Sequence, residues 1–118
     1  MENDTKTQPR EHDEQVAVIE YCDLHRYPVY AIPNGGYRTK AEAGRFKAEG
    51  VRKGVPDLCI PVARGPYHSL YIEMKARGGK ATEEQLQWIA TLRGEGMCAY
   101  ICIGAESAIE IIDRYMAL

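Results

Sequence analysis

The chain has no stretch that stays apolar for anything near the ~20 residues needed to span a bilayer. Its start, Met1 to Glu14, is polar and lacks the apolar heart of a signal peptide, so a cytoplasmic protein is expected. It also lacks cysteine in any metal-binding pattern. Cys22, Cys59, Cys98 and Cys102 are scattered, and the Cys98–Cys102 pair has no histidine beside it to complete a zinc site. Their neighbours, Leu58 and Ile60 or Ile101 and Ile103, suit buried free thiols. The three histidines, His12, His25 and His68, form no hydrolytic triad pattern. Positive charge is not in excess either. The net charge of −2 gives no overall sign of a nucleic-acid partner. No internal repeat or linker is visible.

What is present is a soluble globular composition, 45% hydrophobic and 27% charged. At 118 residues the chain can bury one real core but not two. Residues 1–9 are expected to be a disordered lead-in and 10–118 a single domain. The charge is unevenly distributed. Met1 to His25 carries seven acids against two bases, a net of −5, whereas Arg38 to Lys53 carries six bases against two acids, a net of +4. A local basic segment can serve a phosphate backbone on an acidic protein, although a solvated helix face explains the same pattern.

Periodicity and punctuation give the elements. A helix is expected from Arg10 to about Arg26 and a short strand over Val29 to Ile32, closed by the turn Pro33-Asn34-Gly35-Gly36. A helix capped by Thr39 then runs to near Gly50. Strands follow over Asp57 to Val62 and Leu70 to Lys75. A helix capped by Thr82 runs to Leu92, then come a strand from Met97 to Ile103 and a closing helix from Ser107 to Met116. This order implies an α/β domain with a mixed central sheet of about four strands and helices on both faces.

The chemistry gathers around Leu70-Tyr71-Ile72-Glu73-Met74-Lys75. Alternation places Leu70, Ile72 and Met74 on one face and Tyr71, Glu73 and Lys75 on the other. Asp57 heads the preceding strand, so neighbouring strands would bring Asp57 and Glu73 together. Two carboxylates ~4 Å apart in a poorly solvated site repel by several kcal/mol and stay ionised only with a cation. Oxygen ligands of this kind suit Mg²⁺ or Mn²⁺. Lys75, on the same face, would stand beside the ion's water, which is an arrangement for phosphodiester hydrolysis. A plain surface salt bridge between Glu73 and Lys75, with Asp57 as a turn residue, is the competing account.

Pro56-Asp57, a spacer, then Glu73-Met74-Lys75 resembles the signature of the PD-(D/E)xK nuclease superfamily, whose core is restriction-endonuclease-like. Within it, three stretches resemble the VRR-NUC (virus-type replication-repair nuclease) family: Gly54-Val55-Pro56-Asp57-Leu58, Tyr71-Ile72-Glu73-Met74-Lys75 and Ala81-Thr82-Glu83-Glu84-Gln85. Pro33 to Gly36 and Arg10 to Gln15 share that likeness, and the small stand-alone phage and bacterial members are the most similar.

The resemblance implies that Asp57, Glu73 and the Met74 carbonyl hold the metal and that Lys75 is the catalytic lysine. It also implies that Gln85 and a first-helix glutamate, Glu11 or the nearby Glu14, complete the site. A capping box on Thr82 explains Gln85 equally well, and an acidic first helical turn explains either glutamate. Arg45, Lys47, Arg52 and Lys53 before the site, and Arg77 and Lys80 after it, would contact DNA phosphates. The implied protein is a homodimeric endonuclease of branched DNA such as four-way junctions, phage- or bacterially encoded. A non-catalytic nucleic-acid-binding module on the same fold, or a nuclease without junction specificity, is the alternative.

Overall fold

The computed structural model describes residues 10–33 and 39–118. The expected lead-in over 1–9, most of the turn after Pro33, and Arg38 lie outside those residues.

Helix α1 is Glu11–Leu24, with Glu11, Asp13 and Glu14 in its first turn, where the helix dipole favours anions. Its buried residues, Val18 and Cys22, stand four apart and so share one face. Strand β1, Tyr30–Ala31, is half the expected length. Helix α2, Lys40–Ala48, starts at a full capping box: the Glu42 amide donates to Thr39 Oγ1 at 3.0 Å and the Thr39 amide donates to Glu42 Oε1 at 3.1 Å. Strand β2 is Leu58–Ile60. Pro61 lacks an N–H and ends it early, and Asp57 stands just outside it rather than heading it. Strand β3 is Leu70–Lys75, as the sequence implies. Helix α3 is Glu83–Gly94, strand β4 Cys98–Ile103 and helix α4 Gly104–Met116.

The sheet order is β1-β2-β3-β4. The first two pairings are antiparallel, and β3 with β4 is parallel. A parallel pair needs a crossover, which α3 supplies. This is the mixed four-stranded sheet with flanking helices that the sequence implies. The β2–β3 register pairs Leu58 with Ile72 and Ile60 with Leu70. Continued by one residue, it sets Asp57 opposite Glu73, on the same face of the sheet.

Leu70, Ile72 and Met74 are fully buried with Leu58, Ile60 and Cys102. Val18 and Cys22 of α1 and Ala108, Ile112 and Tyr115 of α4 cover them. Helix α3 buries Ile89. The Tyr115 hydroxyl donates to the Val62 carbonyl at 2.6 Å. Tyr21 and Tyr27 both donate to Asp113, at 2.6 and 3.2 Å, and so tie the end of α1 to α4. All four cysteines are free and buried, as expected. Burial pushes the thiols of Cys22 and Cys102 up to about 11, so neither is a ready nucleophile. Ile109 and Ile111 of α4 are half-buried against the core. Among the described residues no helix is long and apolar enough to cross a membrane.

Candidate functional site

Strand β3 turns its Glu73–Lys75 face toward the first turn of α3, and that side is not open to water. The Glu73 and Lys75 side chains are only 4% and 12% exposed, with Lys75 Nζ 3.7 Å from Glu73 Oε2. This is not a solvated surface pair.

Three acids converge here. Glu11 from the first turn of α1, Asp57 from the end of the loop before β2, and Glu73 from β3 each bring one carboxylate oxygen within 4.8 Å of the others. Asp57 is oriented by the backbone, since its Oδ2 accepts the Met74 amide at 2.8 Å. In a strand, the carbonyl of a residue faces the same side as its amide, so the Met74 carbonyl faces the acids too.

Gln85 serves two partners. Its Oε1 accepts the Thr82 amide at 2.9 Å while its own backbone amide donates to Thr82 Oγ1 at 3.2 Å, which completes a capping box for α3. Its Nε2 donates to Glu73 Oε2 at 3.0 Å. Only one orientation of the side-chain amide satisfies both, so the cap fixes the donor that steadies Glu73.

The approach of α3 depends on Gly54, which is buried with φ +92°. A Cβ there would stand 2.7 Å from Glu84 Cβ and 3.0 Å from the Gln85 amide nitrogen. Glycine alone lets the loop carrying Asp57 rest on the backbone that carries Gln85. The sequence flags this residue only as part of Gly54-Val55-Pro56. The signal for its role is glycine in a tight loop directly ahead of an acid.

Glu14 lies elsewhere. Its Oε1 accepts the Ala105 amide at 2.8 Å. The residue before α4, Ile103, has no capping side chain, so Glu14 caps α4 from a different helix and explains why α4 begins at Gly104 rather than Ser107.

The electrostatics favour a cation. Burial, then the Asp57 charge, raises the Glu73 carboxyl to about 8, with Lys75 acting against this. Burial also raises Asp57, partly offset by the Met74 amide. Glu11 is raised by burial and by Asp57. Glu73 Oε1 is buried and has no hydrogen-bond partner among the described residues. Ionised carboxylates hold no donor between them, so a proton shared between Glu73 and Asp57, an ordered water or a cation would satisfy that oxygen. Three carboxylates and a carbonyl form an all-oxygen set suited to a hard divalent cation, and the residues present fit one.

The basic residues do not form one cluster. Arg45 and Lys47 are exposed on α2, with the Arg45 guanidinium 5.4 Å from the Phe46 ring centre. Arg52 donates to the Lys47 carbonyl at 3.3 Å, and Lys53 lies 3.9 Å from Glu84. Arg77 and Lys80 are exposed in the turn that follows Lys75. One segment thus leads into Asp57 and the other leaves Lys75.

Set beside known proteins, the chain matches the family model for the VRR-NUC domain over residues 9–106. A solved structure of a VRR_NUC domain protein is 33% identical, covering 93% of this chain and 90% of that one, with a TM-score of 0.80. Comparison with curated proteins gives no match.

Proposed function

Since this chain belongs to the VRR-NUC domain family and has its nuclease-type fold, we propose that it is a metal-dependent, structure-specific DNA endonuclease. Its substrates are branched DNAs such as four-way junctions, and its working form is a homodimer. The observation that carries the reading is Glu73: a buried carboxylate with one oxygen lacking a donor, in a trio of acids, with a nearly buried lysine 3.7 Å away.

Asp57, Glu73 and Glu11 would hold Mg²⁺ or Mn²⁺, with the Met74 carbonyl as a main-chain ligand. A bound cation of this kind lowers the pKa of water and neutralises charge on a phosphate. Lys75 supplies the chain's own donor beside the acids, to orient the attacking water or to pair with a phosphate oxygen. Gln85 keeps Glu73 aimed. Arg45, Lys47, Arg52 and Lys53 on one segment, and Arg77 and Lys80 on the other, contact phosphates and position the DNA without reading sequence. Two-fold symmetry would set two such sites against two strands of a junction. Exposed Tyr100 and Ile103 on the edge strand β4 offer apolar surface for self-association.

The test is cleavage of labelled four-way junction, flap, single-stranded and duplex DNA with Mg²⁺, Mn²⁺ or chelator. Metal-dependent cutting of the junction is expected, with a loss of about 10²–10⁴-fold in Lys75→Ala. Equal cutting of every substrate would remove the junction preference. No cutting by folded protein with either metal would overturn the enzyme and leave a DNA-binding module.

A further inference from the structure

A cavity of about 290 Å³ opens on α3, the helix whose Gln85 bonds Glu73, and is lined by Lys53, Glu84, Gln87, Trp88 and Thr91. We infer that it is a nucleobase pocket, with Trp88 as the stacking platform, taking one unpaired base next to the phosphate held at the acids. This deepens the nuclease reading and rests on it.

Position is the first argument. Lys53 precedes Gly54, whose backbone lies against Glu84 and Gln85. Gln85 in turn holds Glu73. Trp88 is three residues beyond Gln85, about 4.5 Å further along the helix axis. Cavity and acids are therefore joined through one loop and one stretch of α3: Glu84 lines the cavity, and its neighbour Gln85 bonds Glu73.

Size and chemistry are the second. The volume lies at the floor of the ~300–1,000 Å³ range of ligand sites, which suits one flat ring system. The Trp88 indole is half-buried and is the only tryptophan in the chain. Aromatic faces bind bases with little sequence preference, because every base has a π-face. Around it, the Gln87 amide and Thr91 hydroxyl both donate and accept, which matches the mixed edge of a base. The Glu84 carboxylate can accept an exocyclic amine.

Lys53 is the third. Its 3.9 Å approach to Glu84 joins two well-exposed side chains, 79% and 48% accessible. Such a pair is weakly held, so the ammonium is free to move to a phosphate when a strand arrives.

A base inside a duplex is stacked and paired and must be unstacked, at a cost of about a few kcal/mol, before it can enter this cavity. An unpaired base at a fork or opened arm meets the least of that cost. The pocket thus favours forks and junctions with an opened arm over intact duplex, without any reading of sequence.

The test uses full-length Lys75→Ala protein with Mg²⁺ and a Y-shaped DNA. The unpaired nucleotides at the fork are either intact or abasic; the anisotropy of a dye on the DNA reports affinity for every variant, and Trp88 fluorescence reports stacking in the chain that keeps the tryptophan. Intact forks are expected to quench the emission and to bind about tenfold more tightly than abasic ones. Trp88→Phe should keep that difference, and Trp88→Leu, checked for folding by circular dichroism, should lose it. Equal affinity for intact and abasic forks with unchanged emission overturns the pocket. If the wild type still cuts forks in that case, the nuclease reading survives alone. If no DNA binds at all, both readings fall.

Discussion

Glu73 shows how a single residue can run against the stability of its own fold. Burial and the Asp57 charge hold its carboxyl at about 8, against an ordinary value of 4.5. Between those two values the folded chain binds more protons than the unfolded chain. Stability of the metal-free protein therefore falls as pH rises through that window. Thermal melts in chelator are expected to show Tm dropping from pH 5 to about pH 8, and Glu73→Gln should flatten the slope. Added Mn²⁺ should stabilise the wild type increasingly toward the alkaline end, because the cation competes with protons for the same oxygens. A flat metal-free profile would contradict this account of the site. Glu73, Lys75 and Asp57 were legible in the sequence because strand period two puts charges on one face of an otherwise apolar segment. Gln85 was legible as a cap, and it is one. Its second bond, to Glu73, depends on where α3 docks, which local pattern does not encode.

At the scale of elements, the first turn of α1 joins two structures. Glu11 belongs to the acid trio, whereas Glu14 holds the Ala105 amide at the start of α4. Three residues apart on a helix, the two lie on neighbouring faces, so sequence alone left either one available for the site. The difference comes from the packing of α1 against α4, which are far apart in the chain. Glu14→Gln is expected to cost about 1 kcal/mol of stability, the worth of a charged helix cap, and to leave Mn²⁺ affinity unchanged. Glu11→Gln should weaken Mn²⁺ binding with little loss of stability. Paired thermal melts and metal titrations separate the two, and a reversal of these effects would exchange their roles. The strands were legible in kind but overdrawn in length. Pro61 stops β2, and β1 shrinks to Tyr30–Ala31, whose side chains are both exposed. Another feature out of reach of sequence is Arg93, whose guanidinium donates twice to the Ala99 carbonyl, at 2.9 and 2.7 Å, on the edge strand.

For the whole molecule, the small net negative charge conceals a local asymmetry. The bases of 45–53 are exposed, and α2 buries no residue, so this segment can give up charge while the core stays intact. A triple substitution of Arg45, Lys47 and Arg52 to alanine should weaken DNA binding about equally across sequences. It should also make the dependence of log affinity on log salt shallower by about 0.9 for each duplex phosphate that the chain no longer neutralises. An unchanged slope would remove this segment from the DNA surface. The composition that denied any global nucleic-acid signature was accurate as a sum, because a sum carries no geometry.

The seating of Gly54 against α3 also sets the order in which the acid cluster can come into being as the chain folds. Asp57 gains its Met74 amide when β3 takes its place beside it, but Glu73 gains Gln85 only after α3 has docked on the Gly54 loop. α3 is also the crossover that carries the chain to β4. A nascent chain that stops short of that docking holds its acids without the amide that aims them, so the cluster matures with the closing of the sheet and not before it.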